Sequence, residues 1–171
     1  YALVAFVAYS ELGMAAMVYY LMAYVVTNLA AFGVVILVAR SWGTDEISGY
    51  AGMSRRSPHL ALAMLVAFLS LAGMPPLAGF FGKFYVFAAA VKADLVWLAF
   101  VGVLNAIVGL YYYLTVLKVV YVKPVLEGAD AVEVPRAYGF ALAVLSVGII
   151  LMGTASAPWF AWALRAAQGL F

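Results

Sequence analysis

Lys83 and the paired prolines Pro75 and Pro76 are the residues whose types and spacing most directly imply chemistry. They stand within SLAGMPPLAGFFGKFY (Ser70–Tyr85), inside a long apolar run that also carries Gly73, Gly79 and Gly82. A lysine near the centre of a bilayer costs about 2.5–3.5 kcal/mol on insertion scales, so it is rarely kept without a use. A proline lacks an N–H and crowds the carbonyl four residues back, so Pro75 and Pro76 free the carbonyls of Leu71 and Ala72. Free carbonyls at this depth persist only where protein buries them or water reaches them. Ser70 and these carbonyls could order water beside Lys83, and Gly79, at i−4 on the same helical face, leaves room for a neighbouring backbone or for water. Burial disfavours an ammonium and a nearby carboxylate favours it, so a partner charge could switch the protonation of Lys83. The competing reading is a lysine that snorkels to the interface or forms a static ion pair.

Composition says what kind of frame holds this lysine. The chain of 171 residues is 69% hydrophobic and only 9% charged, with mean hydropathy +1.12. Soluble domains are nearer half apolar and a quarter charged, so this chain is solvated by lipid. A dispersed net charge of +2 gives no footprint for nucleic acid. Without cysteine there is no disulfide or thiolate chemistry. A single histidine and no cluster of carboxylates offer no metal site.

The fold class is therefore all-α, a polytopic transmembrane helix bundle forming one membrane domain. Residues 1–9 are too few to span a bilayer and read as the end of a helix whose start lies outside the sequence, which makes the chain a fragment. Ser10–Gly13 reads as a turn, and a first complete span covers 14–39. Within it Tyr20, Tyr24, Thr27 and Asn28 fall at i, i+4, i+7 and i+8, one polar stripe on one face. Interhelical hydrogen bonding is the plainer reading of that stripe, and a water path is the other. The segment 60–91 would extend roughly 48 Å as one straight helix, against roughly 30 Å of hydrocarbon. The prolines resolve the excess by splitting it into two half-helices with a break near Gly73–Leu77. If the second half starts at Pro75, a favourable first helical position, Lys83 lies two turns in.

After the polar turn Lys92-Ala93-Asp94 a span covers 95–121, with Asn105 and Tyr112 on one face. A last span covers 137–152, followed by an interfacial segment, 158–171, whose Trp159, Phe160, Trp162 and Arg165 suit a membrane surface. The intervening loops are 40–58, with His59 at the membrane edge, and 122–136, with Lys123, Glu127, Asp130, Glu133 and Arg136. A lone interfacial histidine fits a surface residue better than a proton relay. Arg40, Arg55, Arg56, Lys118, Lys123 and Arg136 lie on one side and only Lys92 and Arg165 on the other, which places the 40–58 and 118–136 loops in the cytoplasm. Every carboxylate (Glu11, Asp45, Glu46, Asp94, Glu127, Asp130 and Glu133) falls in a turn or loop. An acidic partner for Lys83 must then lie in another segment or another chain.

Ser70–Tyr85, followed by NAIVGLYYY (Asn105–Tyr113) and preceded by YLMAYVVTNLAAFGVV (Tyr20–Val35), resembles the C-terminal part of the subunit N family of proton-pumping NADH–quinone oxidoreductase, respiratory complex I. The likeness covers about residues 1–122; beyond Val122 it is one of pattern alone. It implies an antiporter-like subunit built from two inverted repeats, each with a broken helix. Lys83 matches the family's lysine in the outward proton half-channel, and a lysine after GFFG favours subunit N over a paralogue with glutamate there. The family's other glutamate and lysines have no counterparts in this chain.

The resemblance implies proton translocation through Lys83, with Ser70, Gly73, Pro75, Pro76 and Gly79 forming the break and its water access. Thr27, Asn28, Asn105 and Tyr112 are weaker candidates for lining the path. It implies no cofactor in this chain; NADH, FMN, iron–sulfur clusters and quinone belong to partner subunits. Other membrane subunits, the lipid bilayer and protons are the implied partners, in the inner (plasma) membrane or a thylakoid. A multisubunit sodium/proton antiporter, a membrane-bound hydrogenase and a non-pumping scaffold subunit remain as alternatives.

Overall fold

The computed structural model describes residues 1–125 and 130–169. Glu127 and the last two residues of the terminal segment lie outside the described residues. Among those described the secondary structure is helical, without strands. In chain order the helices are α1 (Ala2–Val7), α2 (Glu11–Trp42), α3 (Met53–Arg56), α4 (Pro58–Ala72), α5 (Ala78–Lys92), α6 (Val96–Tyr121), α7 (Arg136–Thr154) and α8 (Ser156–Gln168). A 3₁₀ turn, Ile47–Tyr50, precedes α3. Helices α2, α6 and α7 are each long and apolar enough to cross a membrane.

Helix α2 is the post of the bundle, packed by α4, α5, α7 and α8. Ser10–Gly13 is not a free turn. Ser10 is the N-cap, its Oγ accepting from the Gly13 N–H at 3.1 Å, and Glu11 opens the helix. A serine cap followed by a carboxylate in the first turn satisfies an orphan donor and complements the positive helix end, which moves the start ahead of Met14. At the far end Gly43 takes a left-handed conformation (φ 67°), so the helix runs past Ala39 to Trp42. The buried face of α2 is mostly small: Ala15, Ala16, Ala23, Ala30 and Ala31 are all at most 5% exposed. Small residues let helix backbones approach where apolar burial alone gives little drive, as in lipid.

Helix α7 runs antiparallel to α2. Leu142 packs on Gly33, Gly148 on Val26, and Tyr19 donates its hydroxyl to the carbonyl of Met152 at 2.6 Å. The chain breaks at Ala155 and resumes as α8 at Ser156, rather than at 158. Ala163 and Ala167 are fully buried in the cluster that holds Ala15 and Tyr19, and Phe160 stacks on Tyr85 at 4.0 Å. One face of this terminal segment is thus core, while Trp162 stays exposed.

The loops after α2 and before α7 meet at one end. Ser57 Oγ accepts from the Val132 N–H at 2.8 Å. Arg56 donates to the Asp130 carbonyl through Nε at 3.2 Å and Nη2 at 3.0 Å, and its guanidinium lies 3.5 Å from the Trp42 ring centre. His59 is exposed beside this end.

Candidate functional site

The break between α4 and α5 is where the chemistry gathers. A helix leaves its last four carbonyls without helical donors. In α4 these belong to Leu69, Ser70, Leu71 and Ala72. Gly73, at φ 86°, closes the helix in a Schellman arrangement: Met74 N–H donates to Leu69 O at 2.9 Å and Gly73 N–H to Ser70 O at 2.9 Å. That leaves Leu71 and Ala72, the two carbonyls deprived of donors by Pro75 and Pro76. Lys83 Nζ donates to both, at 2.8 Å and 3.2 Å. The lysine thus spans the break and completes the end of the half-helix before its own. The negative end of α4 is also a favourable place for a cation.

The second half-helix starts at Ala78, with Leu77 extended as its N-cap (φ −85°, ψ 160°), so the break occupies Gly73–Leu77. Starting there rather than at Pro75, Lys83 lies about one and a half turns in. Its position suits the short reach back to α4. Gly79 is required by close approach: a Cβ there would overlap the carbonyl of Ser70. A Cβ on Gly73 would come within 3.2 Å of both Lys83 Cδ and Nζ. On α7, Gly153 presses against Pro76 and Leu77 and backs the break from outside.

Lys83 is 9% exposed. It touches two cavities. One, of about 20 Å³, lies toward α2 and is lined by Tyr20, Tyr24, Thr27 and Ser70 among others. That volume suits about one water molecule. The other, of about 310 Å³, lies toward α6 between Phe80, Phe84, Val103 and Ile107. The Lys83 ammonium is also 5.1 Å from the Tyr1 ring centre, in cation–π range. Among the described residues no carboxylate pairs with it.

Of the residues singled out in the sequence, Lys83, Ser70, Gly73, Gly79 and Thr27 meet at this site, with Pro75 and Pro76 forming the break. The other three lie elsewhere. Asn28 donates to the Tyr24 carbonyl at 2.8 Å and lines neither cavity. Asn105 is exposed on α6. Tyr112 is 64% exposed and meets Tyr111 edge-on. Tyr20 and Tyr24, read in the sequence only as part of a stripe, stack on each other and wall the smaller cavity. The contact with Tyr1 has no signal in the sequence.

An all-α polytopic membrane bundle whose central break is spanned by a lysine is the class that these features define. The sequence profile of the family described as NADH:quinone oxidoreductase/Mrp antiporter, TM, matches residues 1–109, and the chain belongs to that family. Among curated relatives it is 39% identical over 171 residues to NADH-quinone oxidoreductase subunit N of Moorella thermoacetica, covering all of this chain and 36% of that protein. It is 44% identical over 133 residues to NAD(P)H-quinone oxidoreductase subunit 2 of Rippkaea orientalis, covering 78% of this chain and 26% of that one. The chain therefore spans about a quarter to a third of the length of these relatives. Among solved structures, a chain of respiratory complex I from Thermus thermophilus superposes with TM-score 0.81 at 30% identity, over 97% of this chain and 35% of that one. The Mrp complex from Dietzia shares the fold, with TM-score 0.85 at 19% identity over 98% of this chain and 39% of that chain.

Proposed function

We propose that the chain is part of a proton-translocating membrane subunit of NADH–quinone oxidoreductase, and that Lys83 is the group that takes up and releases the proton. One observation carries this reading. Lys83 is held within a helix break by two backbone carbonyls, without a carboxylate partner among the described residues, and beside a cavity that suits about one water molecule. Its two bonds go to main-chain carbonyls at the break, and its side chain is almost wholly buried there.

Two N–H bonds to Leu71 and Ala72 leave the fourth position of the nitrogen, beyond Cε and those two hydrogens, for exchange. As an amine it keeps both carbonyl bonds and presents a lone pair; as an ammonium it presents a third N–H. The lysine can change protonation without leaving its seat. The gap at Gly73–Leu77 gives the route outward, with the joined loops after α2 and before α7 on the cytoplasmic side. NADH, FMN, iron–sulfur clusters and quinone belong to partner subunits, and quinone reduction there drives the pump. The membrane is the bacterial inner membrane or a thylakoid. Proton pumping per electron, measured in the assembled complex carrying Lys83→Ala, is the test. Pumping equal to wild type would overturn the role of Lys83.

A further inference from the structure

Ser70 is fully buried and joins three helices through one hydroxyl. Its Oγ accepts from the Gly79 N–H at 3.0 Å and lies 3.3 Å from Thr27 Oγ1. The direction of the second bond is fixed by counting hydrogens. Thr27 Oγ1 is 2.6 Å from the carbonyl of Ala23, which can only accept, so the single hydroxyl hydrogen of Thr27 is committed there. Ser70 must then donate to Thr27. The bonds run Gly79 N–H to Ser70, Ser70 to Thr27, and Thr27 to Ala23.

This chain of bonds meets a local need. Helix α5 has no side-chain cap of its own, because its N-cap position is Leu77. Gly79 is the second residue of α5, and the second or third N–H is the donor that a serine cap ordinarily satisfies. Ser70 supplies that acceptor from nine residues earlier, on the other half-helix. Two links therefore cross the break, both donated from α5 to α4: the Gly79 N–H to Ser70 Oγ, and Lys83 Nζ to the Leu71 and Ala72 carbonyls.

We propose that Ser70 is a positioning residue, whose hydroxyl caps α5 across the break, ties it to α2 through Thr27, and thereby holds Lys83 on the Leu71 and Ala72 carbonyls. The consequence for function rests on the reading that Lys83 exchanges protons; the placement itself does not. A shift of α2 along the break would part Thr27 from Ser70 and loosen the seat of the lysine, giving α2 a mechanical hold on the site.

The test uses the assembled complex carrying Ser70→Ala, Thr27→Val or Thr27→Ser, with pumping per electron followed across pH and the Lys83 side chain located in a density map. Ser70→Ala and Thr27→Val should shift the pH profile of pumping and displace Lys83 from the Leu71 and Ala72 carbonyls. Thr27→Ser, which keeps the hydroxyl, should restore the wild-type profile and position. A purely structural serine would lower the amount of assembled complex and leave the profile of each assembled complex alone. If Ser70→Ala fails to assemble, the nearly isosteric Thr27→Val carries the test. Wild-type profiles with Lys83 unmoved in the hydroxyl-deleted complexes would overturn the proposal. If Lys83→Ala pumps normally, the proton-exchange reading fails separately, and the density map alone decides the placement.

Discussion

Lys83 Nζ lies 2.8 Å from the carbonyl oxygen of Leu71, a bond that crosses the helix break and joins the two half-helices by a side chain. The prolines create that acceptor by removing its helical donor, and the lysine takes it up. Removing a donor and supplying a substitute are thus two parts of one arrangement, in which donor and acceptor stand twelve residues apart in the chain.

Pro75→Ala and Pro76→Ala return backbone N–H groups that can donate to Leu71 and Ala72. Those donors then compete with Lys83 for its acceptors and favour continuing α4 through the break. Each variant should assemble with pumping per electron reduced, and the double variant should lose more than either. Pumping ratios of purified complexes check this, and a wild-type ratio in the double variant would contradict it.

Gly79→Ala places a methyl against the Ser70 carbonyl, at a point where backbone cannot give way cheaply. Overpacking of this kind costs about 1–3 kcal/mol. Thermal inactivation of the complex in lipid nanodiscs should start at lower temperature than in wild type. Gly82→Ala serves as a control: its added Cβ meets Tyr20 only at 3.3 Å, so the smaller loss belongs there.

Gly73→Ala combines two penalties. A left-handed conformation costs a residue with a Cβ about 1–2 kcal/mol, and the new methyl also crowds the Lys83 side chain. Stability and pumping should therefore fall together here, whereas Pro75→Ala should lower pumping more than stability. Measuring both quantities on the same preparations separates the cases.

The break was legible because two prolines beside a glycine are local signals, and because an uninterrupted helix would have outrun the bilayer. The acceptors were legible too, since the offset of four residues from each proline names Leu71 and Ala72. Their donor was not. Whether Lys83 reaches back to α4 depends on where α5 starts, and Leu77 carries no cap signal that would have placed that start at Ala78. The link from Ser70 to Gly79 is tertiary and has no periodicity to betray it. Asn105 and Tyr112 failed to join the site for another reason. Helix α6 is apolar on all sides, so spacing shows that these residues share a face but not which way that face turns. On α2, Tyr20, Tyr24 and Thr27 line the smaller cavity beside the lysine, whereas Asn28 bonds the Tyr24 carbonyl.

The most direct measurement is the number of protons pumped per electron by the assembled complex carrying Lys83→Arg. Arginine keeps a positive charge and donors for the Leu71 and Ala72 carbonyls, but its guanidinium does not give up its proton in proteins. The variant therefore separates holding the break from exchanging a proton. Proton exchange at Lys83 predicts a complex that assembles and reduces quinone while pumping fewer protons per electron than wild type. An unchanged ratio would contradict it.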